Sequence, residues 1–156
     1  MNIMDFLSAE AISVNLQGAN KKELIKELVG LLIKSGRIKD KDKEKVVKVL
    51  LEREALGSTG IGQGIGIPHG KFGAVKRLVG ACGISRQGID FESLDGEPVY
   101  IFFLLLAPED SAGPHLKALA RVSRLLKDKY FRETLKTAKD DKALLKVLKQ
   151  EDQKKG

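Results

Sequence analysis

The amino-acid sequence predicts an α/β fold: a mixed β-sheet sandwiched by α-helices, in a single domain. Three observations lead there. Val99-Tyr-Ile-Phe-Phe-Leu-Leu-Leu106 is an unbroken run of β-branched, aromatic and other apolar residues, the pattern of a central strand buried on both faces. Segments with helical apolar spacing lie on both sides of it in the chain, so strands and helices follow one another in mixed order. A length of 156 residues, with 42% hydrophobic and 31% charged, suffices for one ordinary core and is that of a globular chain.

From the N-terminus, Ala11-Ile-Ser-Val-Asn-Leu16 alternates in polarity as a strand or an extended lead-in does. Asn20 is a good N-cap, and Glu23 completes a capping-box pattern. Leu24, Ile25, Leu28, Leu31 and Leu32 recur at helical spacing, which predicts a helix over 21–34, ended by Ser35-Gly36. Asp40 or Asp42 caps a second helix with Val46, Val47, Val49, Leu50 and Leu51 on its apolar face. It runs to Glu54 or Leu56, where Gly57 breaks it. Residues 77–84 read as a strand softened by two glycines, 87–98 are turn-rich, and Pro108 stops the central strand. Ser111 or Gly113 opens a third helix, with Pro114 at an early position where its missing N–H is harmless. Its apolar face reads as Leu116, Leu119, Ala120, Val122 and Leu126. Two short helices, over 128–137 and 140–148, precede a polar tail from Gln150. The domain is accordingly placed at residues 1–150, with a polar tail at 151–156.

Several function classes are excluded by composition. The longest apolar run, Val99 to Ala107, is far short of the roughly 20 residues that span a bilayer. The N-terminus lacks the basic start and long apolar core of a signal peptide. A cytoplasmic protein with no direct membrane insertion is expected. The single cysteine, Cys82, excludes an internal disulfide, fits a reducing compartment and reads as a small core residue. A net charge of +7 raises nucleic acid as a partner. The lysines, however, interleave with acids, as over 39–45, in the manner of solvated helix faces. With no tryptophan and 5% aromatics there is no platform on which bases could stack, so nucleic acid is not expected as a partner.

Six of the sixteen glycines fall within 57–70, in Gly57-Ser-Thr-Gly-Ile-Gly-Gln-Gly-Ile-Gly-Ile-Pro-His69-Gly-Lys71, and one of the two histidines closes the run. Such density costs backbone entropy unless the backbone must approach something closely. Ile61, Ile65 and Ile67 alternate with the glycines, which argues for a packed segment delivering His69 to a surface cleft and against a solvated linker. No nucleotide pattern fits. The P-loop needs Ser or Thr after Gly-Lys, and Phe72 follows Gly70-Lys71. The dinucleotide fingerprint, begun at Gly60, Gly62 or Gly64, meets Ile65, Ile67 or His69 where its last glycine belongs. Two histidines without paired cysteines leave little with which to bind a metal, and no metal or cofactor is expected.

What remains is a histidine whose backbone Pro68 fixes from one side, with Gly66 to Gly70 clearing side-chain bulk so that a partner can reach the imidazole. Neutral imidazole is a nucleophile near physiological pH. A phosphoryl group on it would need cations and N–H donors around it. Arg53, Ser58, Thr59 and the amides of the stretch, Gly70 among them, can supply these. Arg53 falls in the last turn of the second helix, where it is either a cation favourable to the helix C-terminus or a fixed charge beside His69.

Arg53-Glu-Ala-Leu-Gly-Ser-Thr-Gly-Ile-Gly-Gln-Gly-Ile-Gly-Ile-Pro-His69-Gly-Lys71 resembles the active-site signature of the type-2 enzyme IIA domain. That domain belongs to the bacterial phosphoenolpyruvate-dependent sugar phosphotransferase system, in its fructose, mannitol and nitrogen-regulatory branches. Leu105-Leu-Ala-Pro-Glu and the block over 115–126 match as well, and the resemblance spans roughly residues 5–150. One departure is Gly66, where the family more often has Ala. The resemblance implies that His69 accepts a phosphoryl group from phospho-HPr or a homologue and passes it to an enzyme IIB partner. It implies that His115, by itself readable as a surface residue in a first helical turn, supports the phosphohistidine. It assigns to Arg53 the balancing of phosphate charge, and to Ser58 and Thr59 hydrogen bonds within the loop. No metal or nucleotide is needed, and with no IIB or IIC domain attached the chain is expected to act in trans. The stretch over 53–62 is most like the nitrogen-regulatory branch. A carrier for sugar uptake and a regulatory protein switched by its phosphorylation both remain open.

Overall fold

Val99–Ala107, the most apolar segment of the chain, lies in the middle of a six-stranded sheet with nearly every side chain buried. The structure, a computed structural model, describes residues 1–154. In chain order the elements are β1 (Leu7–Ser13), α1 (Lys21–Lys34), α2 (Lys43–Ala55), β2 (Gly60–Gly62), β3 (Ile65–Gly66), β4 (His69–Lys71), β5 (Val79–Ile89), β6 (Val99–Ala107), α3 (Ala112–Leu125), α4 (Lys129–Lys136) and α5 (Asp141–Lys154). Single 3-10 turns lie at Ile3–Asp5 and Asp40–Asp42.

The strand order is β1-β5-β6-β3-β2, with β4 paired to β6 off that path. β5 is antiparallel to β6, whereas β3 and β4 run parallel to it, so the sheet is mixed as expected. Alternation along β6 divides the core into two layers. Ile101, Phe103, Leu105 and Ala107 pack with Val122 and Leu125 of α3, Phe131 of α4 and Leu144 of α5. Phe102, Leu104 and Leu106 pack with Leu24, Leu28 and Leu32 of α1 and Val46 and Leu50 of α2. The helices therefore sandwich the sheet. Cys82 is buried within β5, and burial pushes its thiol pKa up.

Local signals set the best-read elements. The Asn20 side chain accepts from the Glu23 N–H at 2.9 Å, and α1 ends at Ser35, with Gly36 in the left-handed region at φ 76. The capping box is only half formed, because the Glu23 carboxylate takes the Asn20 side-chain amide (3.4 Å).

Five segments differ from expectation. β1 begins at Leu7 rather than Ala11, because Ser8 to Glu10 form an exposed part of the strand with no apolar alternation to reveal it. The glycine stretch forms β2, β3 and β4 rather than a loop. Ile65 and Ile67 are buried in it, whereas Ile61 is exposed on the β2–β3 hairpin. That hairpin turns through Gln63 and Gly64, both at positive φ, as tight two-residue hairpins require. β5 runs on to Ile89 through a register irregularity after Ile84, within the segment that read as turn-rich.

The buried face of α3 is His115, Ala118, Arg121, Val122 and Leu125, while Leu116, expected in the core, is exposed. α5 extends to Lys154, past Gln150 where a polar tail was expected, and Glu151 and Asp152 are buried; residues 155–156 of that tail lie outside the described residues. The last two differences have one cause. Arg121 Nη2 donates to the Asp152 carboxylate at 3.0 Å and to the Asp152 carbonyl at 2.8 Å. The same carboxylate accepts from the N–H groups of Ile3 (2.9 Å) and Met4 (3.2 Å). A buried, paired charge thus turns α3 and ties both ends of the chain together.

Candidate functional site

β4 pairs in parallel with the end of β6, placing His69 opposite Leu105, Gly70 opposite Leu106 and Lys71 opposite Ala107. Strand alternation then sends His69 and Lys71 towards the α3 layer and Gly70 towards the α2 layer. A Cβ at Gly70 would lie 2.9 Å from Val49 Cγ1 and 3.5 Å from Leu50 Cδ2. Only glycine lets α2 lie so near this strand, and that approach brings the last turn of α2 beside His69. Val49, Glu52, Arg53, Leu56, His69, Gly70, Lys71 and His115 line an open cleft of about 470 Å³.

The two histidines meet edge to face, with ring centroids 5.5 Å apart and planes at 87°. His69 Nδ1 lies 2.7 Å from the Ile67 carbonyl oxygen. A carbonyl can only accept, so Nδ1 keeps the proton and the lone pair belongs to Nε2. His115, in the first turn of α3, is 6% exposed, and its Nε2 has no hydrogen-bond partner among the described residues.

Burial is the largest influence on both rings, and it lowers the pKa of each from its ordinary value. For His69 the Ile67 hydrogen bond opposes this, Arg53 adds to it, and Glu54 opposes it. For His115 the neighbouring His69 and Lys71 lower it further. Both imidazoles are therefore predominantly neutral at pH 7, in a cleft that the cations Arg53 and Lys71 also line.

Arg53 stands at both places open to it, the end of α2 and the cleft of His69. Its Nη1 donates to the Gly57 carbonyl at 2.8 Å beyond the helix end, and its charge acts on His69. The structure thus brings Arg53, His69, Gly70 and His115 to one cleft. Ser58 and Thr59 are not among its lining residues. The Ser58 hydroxyl donates to the Phe91 carbonyl at 2.8 Å and accepts from the Gly60 N–H at 3.0 Å. The Thr59 hydroxyl donates to the Glu54 carboxylate, and its N–H donates to the same group at 3.2 Å.

Sequence reasoning passed over Lys71, Glu52, Leu56 and Glu54. Lys71 follows from the strand: once β4 is formed on β6, period-two alternation puts it on the His69 face. Glu54 had a local signal: it continues the buried Val47 and Leu50 series on α2, where a carboxylate is out of place. It is 6% exposed and pairs with Lys21 Nζ at 3.0 Å. Among the described residues no group of three His, Cys, Asp or Glu side chains could hold a metal ion, and no helix is long and apolar enough to cross a membrane.

Comparison with known proteins places these features in context. The family model described as "Phosphoenolpyruvate-dependent sugar phosphotransferase system, EIIA 2" matches residues 5–151. A nitrogen regulatory protein of Bradyrhizobium diazoefficiens is 41% identical over 148 residues, covering 95% of each chain. A PTS system fructose-specific EIIABC component of Bacillus subtilis is 38% identical over 152 residues, which is 97% of this chain and 24% of that protein. The crystal structure of the nitrogen regulatory protein IIA-Ntr from Neisseria meningitidis superimposes with a TM-score of 0.84 at 34% identity, covering 94% of this chain and 98% of that one.

Proposed function

This chain belongs to the EIIA 2 family of the phosphoenolpyruvate-dependent sugar phosphotransferase system, and from that membership we propose that it carries a phosphoryl group on His69. The observation that carries this reading is the hydrogen bond from His69 Nδ1 to the Ile67 carbonyl, which leaves the Nε2 lone pair free beside Arg53, Lys71 and His115. The donor is phospho-HPr or a homologue. As Nε2 forms its bond to phosphorus, the donor's N–P bond breaks and its electron pair returns to the donor nitrogen. No proton has to leave His69, because Nε2 carries none. The product ring is phosphorylated at Nε2 and protonated at Nδ1, so it departs as neutral imidazole when an enzyme IIB partner takes the group.

The surroundings suit such a phosphoryl group. Arg53 and Lys71 supply positive charge where phosphoryl transfer needs it, and His115 Nε2, a ring nitrogen without a partner among the described residues, can donate to a phosphoryl oxygen. The open cleft with exposed Leu56 at its lining leaves room for a partner surface rather than for an enclosed substrate. Incubation with phosphoenolpyruvate, enzyme I and HPr is expected to put acid-labile phosphate on wild type and none on His69→Ala. Equal labelling of both would overturn the assignment.

A second reading rests on the nitrogen regulatory relative, which covers 95% of this chain. In it the phosphorylation state of His69 switches binding to a regulatory protein. The two readings share the site and differ in the acceptor. Phosphate transfer to a panel of IIB proteins favours uptake; binding to a partner that phosphorylation abolishes, without transfer, favours regulation.

A further inference from the structure

The His69 ring is oriented by a carbonyl, and that carbonyl is itself held in place. The Ile67 C=O accepts from His69 Nδ1 at 2.7 Å, and the Ile67 N–H donates to the Thr59 carbonyl at 3.0 Å. The Thr59 N–H donates to Glu54 Oε1 at 3.2 Å, and the Thr59 hydroxyl donates to the other oxygen of the same carboxylate. Glu54 is in turn gripped by Lys21 Nζ at 3.0 Å, which also lies 4.8 Å from the Phe91 ring centroid. A continuous hydrogen-bonded path therefore runs from a buried carboxylate on α2 to the nitrogen opposite the nucleophile.

We propose that Glu54 is a positioning residue for the phosphoryl-accepting histidine: it anchors the path that fixes the Ile67 carbonyl, and through it the orientation and tautomer of His69. Glu54 does not line the cleft, so it acts through Thr59 and Ile67 rather than on the phosphoryl group. Two properties make the path effective. A carboxylate accepting two bonds from one residue fixes both the position and the direction of Thr59, and a buried bond of this kind is costly to lose. The negative charge also favours keeping a proton at Nδ1, the state that the phosphorylated ring occupies. Arg53, one residue earlier on the same turn, acts in the opposite sense from the cleft side. The other charged or titratable groups lining the cleft with His69 are Glu52 on α2, Lys71 on its own strand and His115 on α3.

The consequence for transfer rests on the phosphoryl-carrier reading, whereas the effect on the ring does not. Both are read in one set of proteins: wild type, Glu54→Gln, Glu54→Ala and Thr59→Val. Long-range proton–nitrogen NMR of the histidine rings reports tautomer and titration midpoint, and labelling through phosphoenolpyruvate, enzyme I and HPr reports transfer. Wild-type His69 is expected as a single Nδ1–H tautomer. Glu54→Ala should give a mixture of tautomers and slow transfer by about tenfold or more, as small misplacements of reacting groups do. Glu54→Gln keeps an acceptor for the Thr59 N–H but removes the charge; it should retain more of the tautomer and move the His69 midpoint to lower pH. Thr59→Val should change the tautomer less than Glu54→Ala. A loss of stability alone would leave tautomer and midpoint unchanged in every folded variant. That result in Glu54→Gln and Thr59→Val, which decide the matter should Glu54→Ala not fold, would overturn the proposal. If the tautomer responds as expected but wild type gains no phosphate, the carrier reading falls and the positioning role of Glu54 stands.

Discussion

His115 faces His69 across 5.5 Å, ring edge to ring face, with its Nε2 buried and without a protein partner among the described residues. Leaving a buried polar nitrogen unpaired costs about 1–3 kcal/mol, and a phosphoryl oxygen on His69 would satisfy it. His115→Ala is therefore expected to accept phosphate still but to pass it on more slowly. A hydrogen bond to a charged group is worth about 1.5–3 kcal/mol, so onward transfer to an acceptor should fall by about tenfold to a hundredfold. Stopped-time assays of phosphate leaving the labelled protein measure this, and an unchanged rate would remove His115 from the mechanism.

The pH dependence follows from the direction of the two histidine shifts. Burial is the main cause of each, and each pKa lies below 6.5 in the folded protein. The nucleophile is thus protonated at lower pH than a free imidazole, and phosphate acceptance should decline at correspondingly lower pH. Folding stability has the matching sign. Above the unfolded value both states are neutral and nothing is lost; as pH falls from about 6.5 towards the folded values, the unfolded chain binds protons that the folded one refuses. Stability should drop across that window, and His69→Gln should flatten the drop. Denaturant titrations between about pH 5 and 7 check the slope.

Gly70 sets the spacing between the strand of His69 and the helix of Arg53. A methyl group there would press on Val49 Cγ1, on a side chain too stiff to swing aside. Gly70→Ala is expected to displace the end of α2, destabilise the fold by about 1–3 kcal/mol and slow phosphoryl acceptance. Val49→Ala in the same protein should restore part of both. Additive losses in the double variant would show that spacing is not the cause.

Much of this was legible because it is encoded locally. The cap and period of α1 need only 15 neighbouring residues (20–34), and β6 declares itself by composition. His69, Arg53 and the glycine stretch are joined in a single motif. Most of what escaped depends on partners distant in the chain. Ser58 looked like a phosphate ligand because the Phe91 carbonyl that takes its hydroxyl lies 33 residues on; Thr59 did because the local signal of Glu54, five residues before it, was passed over. β2 to β4 were hidden because glycine has little strand preference of its own, and pairing with β6 makes these strands. Leu116 was placed in the core by its apolarity, although the face of α3 is set by what His115 and Arg121 meet elsewhere.

Arg121 and Asp152 illustrate the same point energetically. Their side chains are 5% and 4% exposed and 3.0 Å apart, and Asp152 also holds the N–H groups of Ile3 and Met4. Burying a charge is costly unless it is paired, so removing one partner strands the other in a poor medium. Asp152→Ala is expected to destabilise by about 3–5 kcal/mol, lowering Tm by roughly 6–20 °C for a domain of this size. Asp152→Asn retains a carbonyl acceptor for one of the two amides, which bond to different carboxylate oxygens, and should cost less than Asp152→Ala. Because Arg121 lies on α3 with His115, the loss should also loosen that helix. Hydrogen exchange in α3 should then rise more in Asp152→Ala than exchange in α1, which packs on the other face of the sheet. If Asp152→Ala melts like wild type, the C-terminal turn of α5 is not a fastening of the fold, and the residues after Gln150 act as the loose tail that their composition suggested.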